Sequence, residues 1–294
     1  MLLLLTAACL VQASEAQVEA RLRQDVTFLA SPALKGRGNG SPELDRAAAR
    51  IVQELRALGL KPQVQRFPFV AKVARTRQAA TLTQGPATRT LVWGKEIEAL
   101  GLSGDADFKD KPLAFLGYGL QIPGGYDDLA GVTLKDRVAV IARSVPELDA
   151  FAHLPRGERS LLARLQKLQA AQAAGVIVLE TDGLRPLRRD EGPVRIDLPV
   201  VGVTEAGLGA LAPEYLDRFK TIRETGKPDS DAGLGPLLSL TLDLRREEVQ
   251  LPNIVTVIPG RDPKLRKEYI ALGAHLDHLG LGERHSLGGE PALG

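Results

Sequence analysis

The residues best suited to chemistry stand together in the string Ala271-Leu272-Gly273-Ala274-His275-Leu276-Asp277-His278-Leu279-Gly280. A neutral imidazole is a good zinc ligand. A carboxylate beside it can accept the other ring N–H, which fixes the ring and raises its basicity. The apolar residues 269–274 predict a strand, and His275 then sits at its carboxyl end, where open α/β sheets bind their ligands. His275 and Asp277 are two apart, so in extended backbone they project to one side and His278 to the other. By residue type and spacing alone two readings stay open: a metal ligand with its supporting carboxylate, and an ordinary surface or core histidine. The chain has no His-Glu-x-x-His helix and no Cys-x-x-Cys pair, so two common zinc solutions are absent.

Such a strand end needs a sheet behind it. Residues 14–29 predict a helix with Val18, Leu22, Val26 and Leu29 at helical spacing. A glycine-rich loop follows, Leu34-Lys35-Gly36-Arg37-Gly38-Asn39-Gly40. Ser41 then caps a second helix, with Pro42 in its first turn, Leu44, Ala48, Ile51, Leu55 and Leu58 as its stripe, and Gly59 at its end. Residues 64–104 read as short strands and turns. The apolar run 138–142, an amphipathic helix over 158–174 closed by Gly175, and the run 176–179 form a βαβ pattern, which requires parallel pairing. A further strand over 198–203 leads into a short helix from about Glu205. Leu238, Leu240, Leu242 and Leu244 alternate with polar residues, the period of a half-buried strand. The runs 253–258 and 269–274 predict two more strands, split by the turn Pro259-Gly260-Arg261-Asp262-Pro263.

Bulk properties exclude several partners. The 294 residues carry 38 basic and 36 acidic side chains, a net charge of +2, with no cationic stripe, and aromatics are 4%. Neither an electrostatic nor a base-stacking case for nucleic acid exists. The one cysteine, Cys9, lies in the apolar N-terminal run, so a processed chain has no disulfide and no thiolate metal site. That run is too short to span a bilayer. It is followed by small residues, which predicts a signal peptide over 1–16, cleaved after Ala13 or Ala16, and a secreted or periplasmic protein. A lipoprotein anchor at Cys9 and a buried N-terminal helix are the alternatives. No other stretch is apolar enough to cross a membrane.

The string from Tyr269 to Gly280 resembles the first metal-ligand strand of the co-catalytic zinc aminopeptidases, metallopeptidase family twenty-eight of clan MH. Leu251-Pro252-Asn253-Ile254-Val255-Thr256-Val257-Ile258-Pro259-Gly260 is similar to that family's re-entry into its peptidase sheet. Phe28-Leu29-Ala30-Ser31-Pro32 and Leu34-Lys35-Gly36-Arg37-Gly38, with the capped helix after them, resemble its opening helices. Phe115-Leu116-Gly117-Tyr118-Gly119, Gly125-Tyr126-Asp127-Asp128-Leu129-Ala130-Gly131 and the segment from Lys135-Asp136-Arg137-Val138 to Gly175-Val176 resemble a protease-associated domain. Together these motifs cover nearly all of residues 20–290.

The resemblance implies an α/β fold: an incomplete mixed-sheet zinc-exopeptidase domain over 17–75 and 245–294, with a β-rich protease-associated insert over 76–244. It implies two zinc ions in the complete protein, with His275 as a metal ligand and Asp277 in the catalytic set as the carboxylate that supports the site from behind. It implies peptide or protein substrates and metal-assisted hydrolysis at a free N-terminus. The other ligands of that family follow an Asp-Asp-Asn stretch that these 294 residues do not contain, and Glu283, His285 and Glu290 do not match the pattern. The expectation is therefore an inactive fragment. The alternatives are a non-catalytic peptide-binding module built on the protease-associated domain, and a carboxypeptidase of the same clan.

Other features read as structural. Residues 36–40 lack the Gly-Lys-Ser/Thr ending of a phosphate loop and follow no strand. Asp127-Asp128 predicts a turn rather than a calcium site, Asp105-Ala106-Asp107 a surface turn, and residues 185–189 a solvated face. His153 stands alone in a loop.

Overall fold

Chain contacts in the computed structural model divide the protein into two units, one of Met1–Phe69 with Val249–Gly294 and one of Val70–Glu248. The structure describes residues 14–148, 151, 154–187, 195–233 and 235–281. Most of the expected leader, with Cys9, lies outside the described residues, as do His153, Glu283, His285 and Glu290.

The first unit opens on a capping box. The Ser14 hydroxyl accepts from Gln17 N while the Gln17 side chain accepts from Ser14 N, which satisfies two donors that a helix start leaves open. This starts α1 (Glu15–Leu29). Its apolar stripe forms as the spacing requires but stays uncovered: Val18, Leu22 and Val26 are all exposed. A 3-10 segment over Pro32–Arg37 follows, interrupted by left-handed backbone at Lys35 and Gly36. In α2 (Pro42–Ala57) Ser41 accepts from Leu44 N at 3.2 Å, and Leu44, Ala47, Ala48 and Val52 are buried. Arg21 of α1 pairs with Glu54 of α2 at 3.2 Å, and the Arg50 guanidinium lies 5.5 Å from the Phe28 ring centre.

The second unit carries the sheet. Its strands are β1 (Gln63–Gln84), β2 (Ala87–Thr90), β3 (Ile97–Ala99), β4 (Ala106–Phe115), β5 (Val138–Ala142), β6 (Gly175–Glu180), β7 (Val200–Thr204) and β8 (Leu237–Val255). Residues 63–69 of β1 and 249–255 of β8 belong to the first unit. Its helices are α3 (Arg156–Arg159), α4 (Leu161–Ala170), α5 (Glu205–Gly209) and α6 (Pro213–Thr225). The hydrogen-bonded order is β2-β1-β8-β4-β5-β6-β7-β3. β4, β5, β6 and β7 run parallel, and β8 and β3 close that block antiparallel on either side. The architecture is thus α/β with a mixed sheet.

Parallel strands are covered on both faces, so they read as unbroken apolar runs. The alternation of side chains then sorts those runs into two cores. Val138, Val140, Ile177, Leu179, Val201 and Val203 pack with Tyr215, Phe219 and Ile222 of α6. Ala139, Ile141, Val176, Val178 and Val200 pack with Leu165 and Leu168 of α4 on the other face. In β8, Leu238, Leu240, Leu242 and Leu244 are buried while Ser239, Thr241 and Asp243 are half-buried, as their period of two requires.

Four expectations need correction. Of the short strands expected over 64–104, β2 and β3 are short, but residues 63–84 form one long strand, β1, with no turn within it. The strand expected over 253–258 is the end of β8, which stops at Val255. Asp107 lies within β4 rather than in a turn. No strand forms over 269–274 among the described residues. A strand is stable only when its N–H and C=O groups pair with a neighbour, and Tyr269, Ile270 and Leu272 are instead 83%, 93% and 95% exposed.

Candidate metal centre

The segment that follows those exposed residues is held in place by the glycine-rich loop. Gly280 N donates to Gly36 O at 3.0 Å, and His278 N donates to Arg37 O at 3.1 Å. The Arg37 guanidinium returns the contact, donating through Nε to Leu276 O at 3.0 Å and through a terminal nitrogen to Leu29 O. Arg37 thereby ties the end of α1 to the segment carrying His275.

This clamp needs glycine. Gly36 has φ +66°, and a Cβ there would drive into the Gly280 carbonyl oxygen and stand 2.8 Å from its carbon. Left-handed backbone and close approach of two main chains are the two situations that select glycine. By residue type alone this loop reads as a connection between two helices, and the family resemblance puts it near the active-site side. The signal that could have found its role is the alternation of glycine with one arginine, which permits close approach and supplies a donor fork.

Within the clamped segment, His275 Nδ1 and Asp277 Oδ1 are 3.2 Å apart, and the His275 side chain is 94% exposed. With its proton on Nδ1 the imidazole donates to Asp277 and leaves Nε2 as a free electron-pair donor. The structure therefore brings these two residues together, although residues 269–274 before them form no strand. His278 is exposed and contributes only its main chain to the clamp. No group of three or more His, Cys, Asp or Glu side chains suited to a metal exists among the described residues. The donor pair fits one metal ligand and its orienting carboxylate. It does not complete a catalytic zinc site, for which three protein ligands are usual.

A second polar cluster, in the other unit, was not legible as such. Asp128 follows Asp127 in the expected turn, and Asp127 Oδ1 accepts from Leu129 N at 2.8 Å, but the Asp128 side chain is fully buried. Its Oδ2 accepts from Tyr118 N and Leu120 N, each at 3.1 Å, and Tyr126 faces it. Burial pushes the Asp128 carboxyl up to about 7 against the lowering effect of those donors, and burial beside this carboxylate pushes the Tyr126 hydroxyl up as well. Arg164 of α4 is 1% exposed and donates to Tyr118 O and Ala142 O, each at 2.8 Å, and to Arg143 O. Desolvation lowers its guanidinium to about 10. Arg143 in turn grips Glu180 through Nε at 2.7 and 2.8 Å. Sequence did carry one signal: Arg164 interrupts the apolar stripe of Leu161, Leu165 and Leu168, where a charge belongs only if it is paired. Arg185 is exposed, with Nε 3.8 Å from Glu180, and residues 188–189 lie outside the described residues.

No protein-family model matches the chain, and no curated protein matches it. Solved structures do. The chain is similar to an aminopeptidase from Aneurinibacillus sp. strain AM-1, with 21% identity and a TM-score of 0.47 over 83% of this chain and 49% of that one. It is similar to BSAP, a zinc aminopeptidase from Bacillus subtilis, with 17% identity and a TM-score of 0.34 over 81% of this chain and 46% of that one. A peptidase M28 precursor from Shewanella amazonensis SB2B gives 16% identity and a TM-score of 0.34 over 80% and 52%. The chain spans about half the length of these proteins. Among the described residues no helix is long and apolar enough to cross a membrane.

Proposed function

We propose that the chain is part of a zinc-dependent exopeptidase that removes N-terminal residues from peptides, with His275 as a zinc ligand and Asp277 as the carboxylate that orients it. Residues 17–75 and 245–294 are the peptidase part in this reading, and 76–244 a protease-associated insert. The observation that carries it is the 3.2 Å approach of His275 Nδ1 to Asp277 Oδ1 on an otherwise exposed ring, in a segment clamped by Gly36 and Arg37. Bound zinc supplies a water of lowered pKa and a Lewis acid for the scissile carbonyl. This chain's described residues supply less: one imidazole nitrogen, a carboxylate that fixes its tautomer, and a loop that fixes the backbone between them. A catalytic site needs further ligands beyond the described residues. Secretion through residues 1–16 belongs to the same reading.

The test is zinc titration followed by NMR of the histidine rings, with Leu-p-nitroanilide hydrolysis in parallel. The His275 ring resonances should shift first among the four histidines, and Asp277→Asn should weaken that response about tenfold or more. An unresponsive His275 would remove the metal reading. Clear turnover by the purified chain would place the remaining ligands within these 294 residues.

A second reading is a non-catalytic peptide-binding module. The observation that favours it is the second unit's closed double core, with residues of β5, β6 and β7 almost entirely inaccessible. Failure of zinc to reach His275, with retained peptide binding, is its signature.

A further inference from the structure

The second unit has a concave site that owes nothing to His275. It lies beside Ala142 and Leu179 near the ends of β5 and β6, the carboxyl edge of the parallel block, and it encloses about 240 Å³. That edge is where α/β sheets collect ligands, because the strands end there and the connecting loops diverge. The volume lies below that of a drug-sized pocket and suits the end of one chain rather than a long ligand.

One face of α6 forms its wall. Leu216, Phe219, Lys220 and Arg223 recur at i, i+3, i+4 and i+7, so they share that face. The two apolar members extend a floor begun by Leu179. Three cations line it as well: Arg143, which pairs with Glu180, and Lys220 and Arg223. Lys220 has no carboxylate partner among the described residues, and Arg223 faces the Tyr118 hydroxyl, opposing the rise in pKa that burial imposes on it. The lining also holds the Ser144 and Thr181 hydroxyls, which can donate, and Glu205, which can accept. The floor is set from behind by Arg164, which ties together Tyr118 O, Ala142 O and Arg143 O.

Apolar floor, paired cations, hydroxyl donors and one anionic acceptor match the groups of a peptide's last residue: its side chain, its carboxylate, its carbonyl and its N–H. We propose that this cleft binds the C-terminal residue of a peptide, with an apolar side chain on Leu179, Leu216 and Phe219 and the free carboxylate between Lys220 and Arg223. The inference goes beyond the zinc reading and does not depend on it.

The full chain should be titrated with N-acetyl-Ala-Leu as the free acid, with the corresponding C-terminal amide, and with 4-methylpentanoate, which keeps the alkyl group and carboxylate but has no peptide unit. Binding is read from backbone NMR shifts at Ser144, Thr181 and Glu205. The free acid should bind about tenfold or more tightly than either comparison ligand, since each lacks charge-assisted or backbone hydrogen bonds. Lys220→Gln and Arg223→Gln should each weaken the acid about tenfold and leave the amide unchanged, and Lys220→Gln should keep the thermal midpoint of the parent. Leu216→Asp should abolish binding. Equal affinity for acid and amide, equal affinity for 4-methylpentanoate, or no shift at these positions would overturn the inference. His275 resonances report separately on zinc, so the two readings fail independently.

Discussion

Replacing Gly36 by alanine tests the clamp that holds the His275 segment. An L-residue at φ +66° costs about 1–2 kcal/mol in left-handed backbone. The new Cβ would also lie 2.8 Å from the Gly280 carbonyl carbon, with only backbone there to give way. The two strands of chain must separate, which breaks the 3.0 Å bond from Gly280 N to Gly36 O and the 3.1 Å bond from His278 N to Arg37 O. At about 1 kcal/mol each, the total cost to the docked state is ~3–4 kcal/mol, or a factor of several hundred in its population. Amide hydrogen exchange reads this directly. Protection at His278 and Gly280 should fall by about two orders of magnitude or vanish, while Val140 and Ile177 in the second unit keep theirs. Unchanged protection at His278 and Gly280 would refute the claim that close main-chain approach at Gly36 fixes the segment.

Asp128 makes a prediction about pH. Its folded pKa is about 7 against an ordinary 3.8, so between those values the folded chain holds the proton that the unfolded chain has lost. Its contribution is fully present below about pH 4 and is lost as pH rises through 7. Between pH 5 and 7.5 this amounts to ~2.5 kcal/mol, and urea unfolding of Asp128→Asn against the parent should show that slope flattened. Arg164→Met should destabilise the second unit by about 3–5 kcal/mol, because it strands three buried carbonyls, and calorimetry should register the loss. Ile141→Ala, at a position with no solvent exposure, should cost about 2–5 kcal/mol, measured by the same unfolding transition.

Local rules made some elements legible. Ser41-Pro42 and Gly59 bracket α2 because capping and left-handed backbone are decided by one or two residues. The βαβ block was readable because both-sided burial writes itself as unbroken aliphatic runs. Residues 269–274 failed for the opposite reason. Their β propensity is genuine, but a strand is a property of a pair, and no partner lies among the described residues. The length of β1 was hidden because strand continuity depends on what lies alongside, not on the run itself. At the candidate site, His275 and Asp277 were legible from type and spacing. Gly36 and Arg37 were not, because the segment they hold lies more than two hundred residues away in sequence. Asp128 reads in sequence as part of a turn, and its burial beside Tyr118 and Tyr126 is decided by packing that the local sequence does not show.

The arrangement of β4 has a consequence for how the protein is made. On one side it pairs with β5, close in sequence; on the other with β8, where Ala106 meets Leu242 and Phe108 meets Leu240. A ribosome delivers the first neighbour early and the second only after α6 has emerged. Until then β4 presents a row of unpaired amides to the surroundings, an open template for any other extended chain. Slow elongation through residues 213–236 prolongs that window, so the yield of soluble protein should depend on chaperone supply during this interval more than on the final stability of the fold.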